Sequence, residues 1–427
     1  MDSARADALS ARSRIGAGAW IPRSAESFRH LPPPAAEVWL GEPAPLHLAA
    51  CDASPLAGAG WTLHPMGPTP PGRVDARWLD AADPAQRAEL FNGLPAPGNE
   101  DAAPFVWAHR ALVRQGLRMR IGAASDGRSD GRDDTVWLQL RHQPRAEVEA
   151  PMLVIDLQPG AQLVMVEVHE REAAPFGSTT DCRRALVQNL HLHLRLGAGA
   201  TLRHLRVVAP GAQDRVAHHV QARLDRGALY HQALLASGCS YHLQRSAIEL
   251  SGEQAQARTA GVLLADAANL EQQVRVAHGA AYTASAVDVL ALGSGSARVV
   301  ANAYTRIAAG ADEAQARQRL SGIPTAGQPR LVLRPHLEIH HDRVQAAHGA
   351  TWGALPEDAL FYALQRGLDE RAARALILQG MAGATLARAL DLPGLMDTLV
   401  VDERLGRSLE RHLAGPAGPD VRGVCHV

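Results

Sequence analysis

The stretch Leu190-His-Leu-His-Leu-Arg-Leu-Gly-Ala-Gly-Ala-Thr-Leu202 decides the fold. Leucine at every second position is the period of a β-strand, and the Gly-Ala-Gly that follows permits a turn at positive φ. The pattern extends outward. Val136-Trp-Leu-Gln-Leu-Arg141, Met152-Leu-Val-Ile-Asp-Leu157 and Leu163-Val-Met-Val-Glu-Val168 alternate or run apolar as strands do. The small turn returns at Pro159-Gly-Ala-Gln-Leu163, Arg226-Gly-Ala-Leu-Tyr230, Gly293-Ser-Gly-Ser-Ala297 and Ala309-Gly-Ala-Asp312. No helical period intervenes for roughly 200 residues, and only 4% of the chain is aromatic. Stacked rungs filled by small aliphatics suit that composition better than a sandwich packed on large rings. The turns are irregularly spaced, which leaves a double-sheet jelly roll as the alternative to a β-solenoid.

Both flanks read differently. Fifteen of the 27 prolines fall by residue 104, which makes the first quarter a poor sheet candidate. Helices are expected there over residues 2–15 and from Asp83-Pro84 to Leu90, where Asp can cap and Pro suits the first helical position. After His348, Pro356-Glu-Asp opens a helix carrying Leu360, Phe361 and Leu364, Gly367 stands where a C-cap glycine would, and Asp369 can cap a second helix. A third is expected after Pro393. The chain thus divides into an N-terminal helical and irregular region (1–104), a β core (105–347) and a C-terminal helical domain (348–427).

The 427 residues suffice for two or three globular units. The 43 basic residues nearly balance 44 acidic ones and are all arginine. Charge therefore names no partner, no nucleic acid is expected, and a local basic patch is the one electrostatic possibility left open. A chain without lysine has no P-loop Lys, no kinase strand Lys and no Schiff-base nucleophile, so those enzyme classes are excluded. Cys51, Cys182, Cys239 and Cys425 lie far apart with no Cys-x-x-Cys, so no disulfide framework or self-contained metal motif is read. The charged N-terminus and the lack of a long apolar run predict a cytoplasmic protein without a membrane span.

Gly197-x-Gly199 and Gly293-x-Gly295 lack the third glycine of a dinucleotide fingerprint, and no Gly-x-Ser-x-Gly elbow occurs. His191 and His193 share one strand face, as paired ligands of a cupin site would, but no carboxylate follows; they read as solvent-facing residues on a half-buried strand. The densest cluster is Pro335-His-Leu-Glu-Ile-His-His-Asp-Arg-Val-Gln-Ala-Ala-His-Gly-Ala-Thr-Trp-Gly353. It holds His336, His340, His341, His348, Glu338 and Asp342, ligand types that iron and zinc accept. In a strand His336, Glu338 and His340 line one face.

This segment resembles the family of SufB and SufD, the scaffolds of SUF iron-sulfur cluster assembly. The family block, Pro-x-Leu-Glu-Ile followed by Asp-x-Val-x-Cys-x-His-Gly-Ala-Thr-x-Gly, is matched by Pro335, Leu337, Glu338, Ile339, Asp342, Val344, His348, Gly349, Ala350, Thr351 and Gly353. The helix signature follows as Leu360-Phe-Tyr362 and Arg366-Gly-Leu368. Tyr304 to Asp312 and Glu26-Ser-Phe-Arg-His30 are similar to further family elements. Gly349, where SufB-type chains carry Glu, and the lack of an amino-terminal cysteine motif favour the SufD type.

The resemblance implies a mainly β fold, a central right-handed parallel β-helix flanked by N- and C-terminal helical regions. It implies a SufB-type paralogue as partner, a SufC-type ATPase on the C-terminal helical domain, and a possible homodimer when alone. The chain itself is expected to bind no nucleotide and to be a scaffold, not an enzyme. Iron or an iron-sulfur cluster is expected at the interface with the paralogue, with His348 as carried-over ligand and Glu338 and His340 as weaker candidates. Where the family has cysteine this chain has Ala346, and a methyl group neither ligates iron nor relays sulfur. Cys425, beside His426, substitutes only if the tail folds back. The competing reading is a metal-dependent cupin or β-solenoid enzyme built on the histidine-rich strands.

Overall fold

The computed structural model describes residues 2–17, 20–41, 57–58, 60–67, 72–98, 100–123, 135–144, 146–171, 185–390, 392 and 394–414. Cys51, Cys182, Cys425 and His426 lie outside them. Two ten-stranded sheets face each other across a common core. The first runs β1 (Ala57–Gly58), β2 (Trp61–Pro65), β5 (Thr135–His142), β8 (Gln162–Glu170), β10 (Thr201–Ala209), β12 (Leu229–Ser237), β14 (Gln256–Asp266), β16 (Ala284–Gly295), β18 (Ala314–Gly327) and β20 (Val344–Trp352). The second runs β3 (Val74–Asp80), β4 (Gln115–Ile121), β7 (Met152–Leu157), β9 (Val187–Leu196), β11 (Arg215–Leu224), β13 (Tyr241–Leu250), β15 (Asn269–His278), β17 (Arg298–Ile307) and β19 (Arg330–Ile339), with β6 (Val148–Glu149) beside β9. From β7 onward successive strands alternate between the sheets, and the pairing is parallel from β5 and β4 onward, a parallel β-solenoid of about seven turns.

The stretch from Leu190 to Leu202 spans β9, a corner and the start of β10. Leu190, Leu192, Leu194 and Leu196 point into the lumen and are fully buried there. Corner geometry explains the turn motif. Gly160, Gly199 and Gly227 have φ of +74, +67 and +66°, and the aligned residues of the next rungs, Gln254, Tyr282 and Glu313, have +62, +57 and +54°. In every case the corner amide donates along the solenoid axis: Gly160 to Ala198 O, Gly199 to Arg226 O, Gly227 to Glu253 O, Gln254 to Ala281 O, Tyr282 to Asp312 O and Glu313 to Arg343 O. The left-handed backbone turns each N–H toward the next rung. Glycine marks only half of this column, which is why the repeat looks irregular in the sequence.

Helices cover the outer faces. On the first sheet, α6 (Glu370–Ala387) and α8 (Val401–Ala414) bury Leu378, Ala382, Leu386, Leu405 and Leu409 against Val262, Leu264, Leu290 and Leu292. Asp369 caps α6 by accepting from the Ala372 amide, and Gly367, at φ +86°, closes α5 (Glu357–Gln365). The stretch expected after residue 393 is the pair α7 (Leu395–Thr398) and α8. On the second sheet, α1 (Ser3–Ala17), α2 (Ala36–Leu40), α3 (Pro84–Phe91) and α4 (Ala103–Leu112) form the N-terminal layer, where Phe28, Trp39 and Phe105 pack on Tyr241 and Leu243. No described helix is long and apolar enough to cross a membrane.

One difference from the sequence reading concerns this layer. Its proline-rich first quarter contains strands: β2 and β3 pair antiparallel with β5 and β4, closing the edges on which the solenoid starts. Pro65, the last residue of β2, lies beyond the reach of β1, which pairs only with Trp61 and Thr62, so no described neighbour on that side requires its missing N–H. The divisions drawn at 104 and 347 fall within α4 and β20.

Candidate functional site at the open end of the solenoid

The last rung is β19 and β20, and among the described residues no further strand covers either edge. Register sets which way each side chain points. Gln318 aligns with His348 and Leu320 with Ala350, and Leu320 is a lumen residue, so Ala346, His348 and Ala350 share the lumen-facing side of β20. Gln318 is buried and donates to Thr305 Oγ1 at 2.8 Å and His336 O at 3.0 Å, whereas His348, one rung later, is exposed. Its ring stands at the mouth of the lumen.

Glu338 and His340 lie elsewhere. On β19, Leu331 and Leu333 face the core, so Arg334, His336 and Glu338 face outward from the second sheet. His340 Nε2 lies 2.6 Å from Glu338 Oε1, Arg306 Nε is 3.4 Å from the same oxygen, and His336 stacks on Tyr304 at 5.0 Å. His341 approaches Asp312 Oδ1 at 3.4 Å, beside the Arg343 ion pair to that carboxylate, and Asp342 is fully exposed. The structure therefore brings Glu338 and His340 together and sets His348 on the other sheet. Among the described residues no three His, Cys, Asp or Glu side chains are grouped to hold a metal.

Ala346 aligns with Ala316, so that position of the rung offers two methyl groups and no donor. Cys239, the one cysteine among the described residues, is buried; its thiol donates to Tyr241 O at 3.2 Å, and burial pushes its pKa far up. A thiol held in that way is neither nucleophile nor ready ligand.

Inside the lumen is a polar layer that sequence reading missed. Glu167, fully buried, accepts from Arg206 Nη2 at 2.9 Å and Nε at 3.1 Å, from His204 Nε2 at 2.9 Å and from His169 Nε2 at 2.5 Å. Burial pushes the Glu167 carboxyl up, but the Arg206 charge and the two imidazole donors outweigh it and hold the pKa well below the usual range. The guanidinium continues to Gln244 Oε1 at 3.0 Å and His218 Nδ1 at 3.2 Å; His218 Nε2 meets Gln188 Oε1, and the Gln188 amide reaches His142 Nδ1 at 3.0 Å. Because Arg206 only donates, His218 must accept at Nδ1 and donate at Nε2, and each later partner's orientation follows. Burial keeps His142, His169, His204 and His218 below the ordinary imidazole pKa. The available signal was parity: Glu167 and His169 share the face of Leu163 and Met165.

His191 and His193 are not solvent-facing. Helix α4 covers that part of the second sheet, burying both beside His219 and His109, whose Nε2 bonds to Pro151 O at 3.0 Å. Burial lowers the pKa of His109 to about 3 and of His193 to about 4.

A solenoid with an open last rung and an imidazole at its mouth agrees with comparison to known families. A family model described as "SUF system FeS cluster assembly, SufBD core domain" matches residues 140–381. The chain belongs to the SufBD family. It is 23% identical over 261 residues to the iron-sulfur cluster assembly protein SufD of Escherichia coli, covering 60% of this chain and 58% of that protein. A SufBD family iron-sulfur cluster assembly protein of Synechocystis is 35% identical over 71 residues, covering 17% of this chain and 16% of the relative. One of Mycobacterium leprae is 23% identical over 199 residues, covering 46% and 22%. The chain thus spans little more than half the length of the first of these SufBD relatives and less of the other two.

Proposed function

We propose that this SufBD chain is a SufD-type, non-catalytic scaffold subunit that pairs through its open rung with a SufB-type paralogue and carries a SufC-type ATPase on its C-terminal helices. The observation that carries the reading is the uncovered end of the solenoid. Two adjacent strand edges, β19 and β20, have no strand partner on their outer side among the described residues, with Ile339 and Trp352 exposed beside them, a template for another sheet. Such an edge is a liability in a lone chain and an interface in a complex. The C-terminal surface has a second apolar face: Phe361 and Tyr362 on α5 are 62% and 60% exposed, and Leu376 on α6 is 58% exposed, although the opposite face of α6 is buried. That pattern marks a docking site, and the ATPase is its proposed occupant.

Iron or a nascent cluster is cargo here, not a resident cofactor. His348 offers one imidazole at the mouth, and with Ala346 in the rung the described residues supply too few ligands by themselves; cysteine or carboxylate from the paralogue would complete the set. Glu338 and His340, on the outer face of the second sheet, are secondary candidates. The test is His348→Ala in the co-expressed complex with SufB-type and SufC-type partners. The reading expects the complex to form with its iron and acid-labile sulfide reduced at least several-fold; unchanged iron and sulfide would remove His348 from the site.

A further inference from the structure

The outer face of the second sheet carries a groove of about 1410 Å³ between the strands and the N-terminal layer, lined by nine arginines against five acidic residues. The chain as a whole carries a net charge of −1, so this is a concentrated basic field on a neutral protein. Its floor is ordered by strand register. Arg195 and Arg223 stand on neighbouring rungs in one column, about 4.8 Å apart along the sheet. Arg275 and Arg306 stand on adjacent rungs farther along; between the two pairs the floor carries the small side chains of Ala247 and Ala277 and one carboxylate, Glu249, in register with Arg223. Arg77, Arg110, Arg118 and Arg245 are ion-paired to Glu89, Asp7, Asp156 and Glu100; the floor arginines are less compensated, since Arg195 meets Asp156 only at 3.8 Å, Arg275 lies over the Tyr304 ring, and Arg306 meets Glu338 at 3.4 Å. At the inner end, His191 and His219 are buried and stacked at 4.6 Å, and the Nε2 of each has no hydrogen-bond partner among the described residues. Buried polar atoms without partners at the back of a basic groove point to a ligand.

We propose that this groove binds a small, elongated molecule bearing a chain of at least two phosphate groups, with phosphates against Arg195 and Arg223 and the remainder extending over Ala247 and Ala277 toward Arg275 and Arg306. Guanidinium pairs at rung spacing match adjacent phosphates bidentately and need no P-loop lysine. Arg306 borders the last rung through Glu338, but the Arg195 and Arg223 end lies several rungs away, and the proposal does not depend on the scaffold reading.

The experiment is calorimetric titration of the full chain with sodium tripolyphosphate, with orthophosphate and a twelve-nucleotide single-stranded DNA as comparison probes. The expected result is saturable tripolyphosphate binding that weakens with added salt, at least tenfold tighter than orthophosphate. An Arg223→Gln/Arg275→Gln double variant that retains the wild-type melting profile should bind at least tenfold more weakly, and Arg407→Gln on α8 should bind as wild type. Absence of saturable binding, equal loss in Arg407→Gln, or tighter binding of the oligonucleotide than of tripolyphosphate would each overturn the proposal.

Discussion

Tyr282 sits in a left-handed corner at φ +57°, aligned with Gly227 two rungs earlier. A side chain in that region costs roughly 1 kcal/mol relative to glycine, and the Tyr282 ring is exposed, so little packing offsets it. Tyr282→Gly is expected to stabilise the protein by about 0.5–1 kcal/mol in urea denaturation; a loss of stability would show that the ring contributes more than the corner costs. Residue-scale detail was only partly legible in the sequence. Gly199 and Gly227 announced their corners, but Gln254, Tyr282 and Glu313 adopt the same backbone because the stacked amide of each bonds to the next rung, a constraint that no local propensity carries. The Glu167–Arg206 pair was hidden similarly, since each residue looks like an ordinary strand polar group until register places both in the lumen.

Elements were easier to read where capping and period agreed. Asp83 and Asp369 cap α3 and α6 as expected, because a carboxylate followed by a helix-forming run is self-sufficient local chemistry. Strands β2 and β3 were missed because pairing with β5 and β4, not their own composition, makes them strands. The same dependence on a neighbour explains α6: one stripe is buried on the first sheet, and the other is left exposed at Leu376. Leu386→Ala, at a fully buried position of that stripe, should cost about 2–4 kcal/mol in chemical denaturation and loosen the C-terminal layer. A cost below about 1 kcal/mol would mean that the helix is not anchored through this contact. The candidate site divided in the same manner. Sequence spacing was enough to pair Glu338 with His340 on one face, but the corner between β19 and β20 moves His348 to the other sheet.

At the scale of the molecule, the solenoid carries an unusual load of neutral buried histidine. Burial lowers His109 to about 3 and His193, His242 and His278 to about 4. Their folded pKa values lie below the unfolded one near 6.5, so the unfolded chain takes up protons first as pH falls. The associated stability is fully present above about pH 6.5 and is lost as pH drops toward 4, by up to about 1.4 kcal/mol per pH unit for each ring. Glu271 acts in the opposite sense: burial raises its carboxyl to about 8, so its share of stability declines as pH rises from about 4.5 to 8. Thermal melts are therefore expected to show a maximum near neutrality and a steep fall in Tm between pH 6.5 and 4.5. A flat profile across that acidic interval would mean that these rings titrate as exposed ones do.

The central claim is that the uncovered rung is the face on which a SufB-type paralogue docks, and light scattering on the co-purified proteins tests it most directly. The wild-type chain should elute with the paralogue at the mass of a one-to-one pair or a multiple of it. An Ile339→Asp/Trp352→Glu variant, altered at two exposed positions beside the open edges and still melting cooperatively, should elute without the paralogue. Undiminished pairing by that variant would contradict the account and place the interface elsewhere on the molecule.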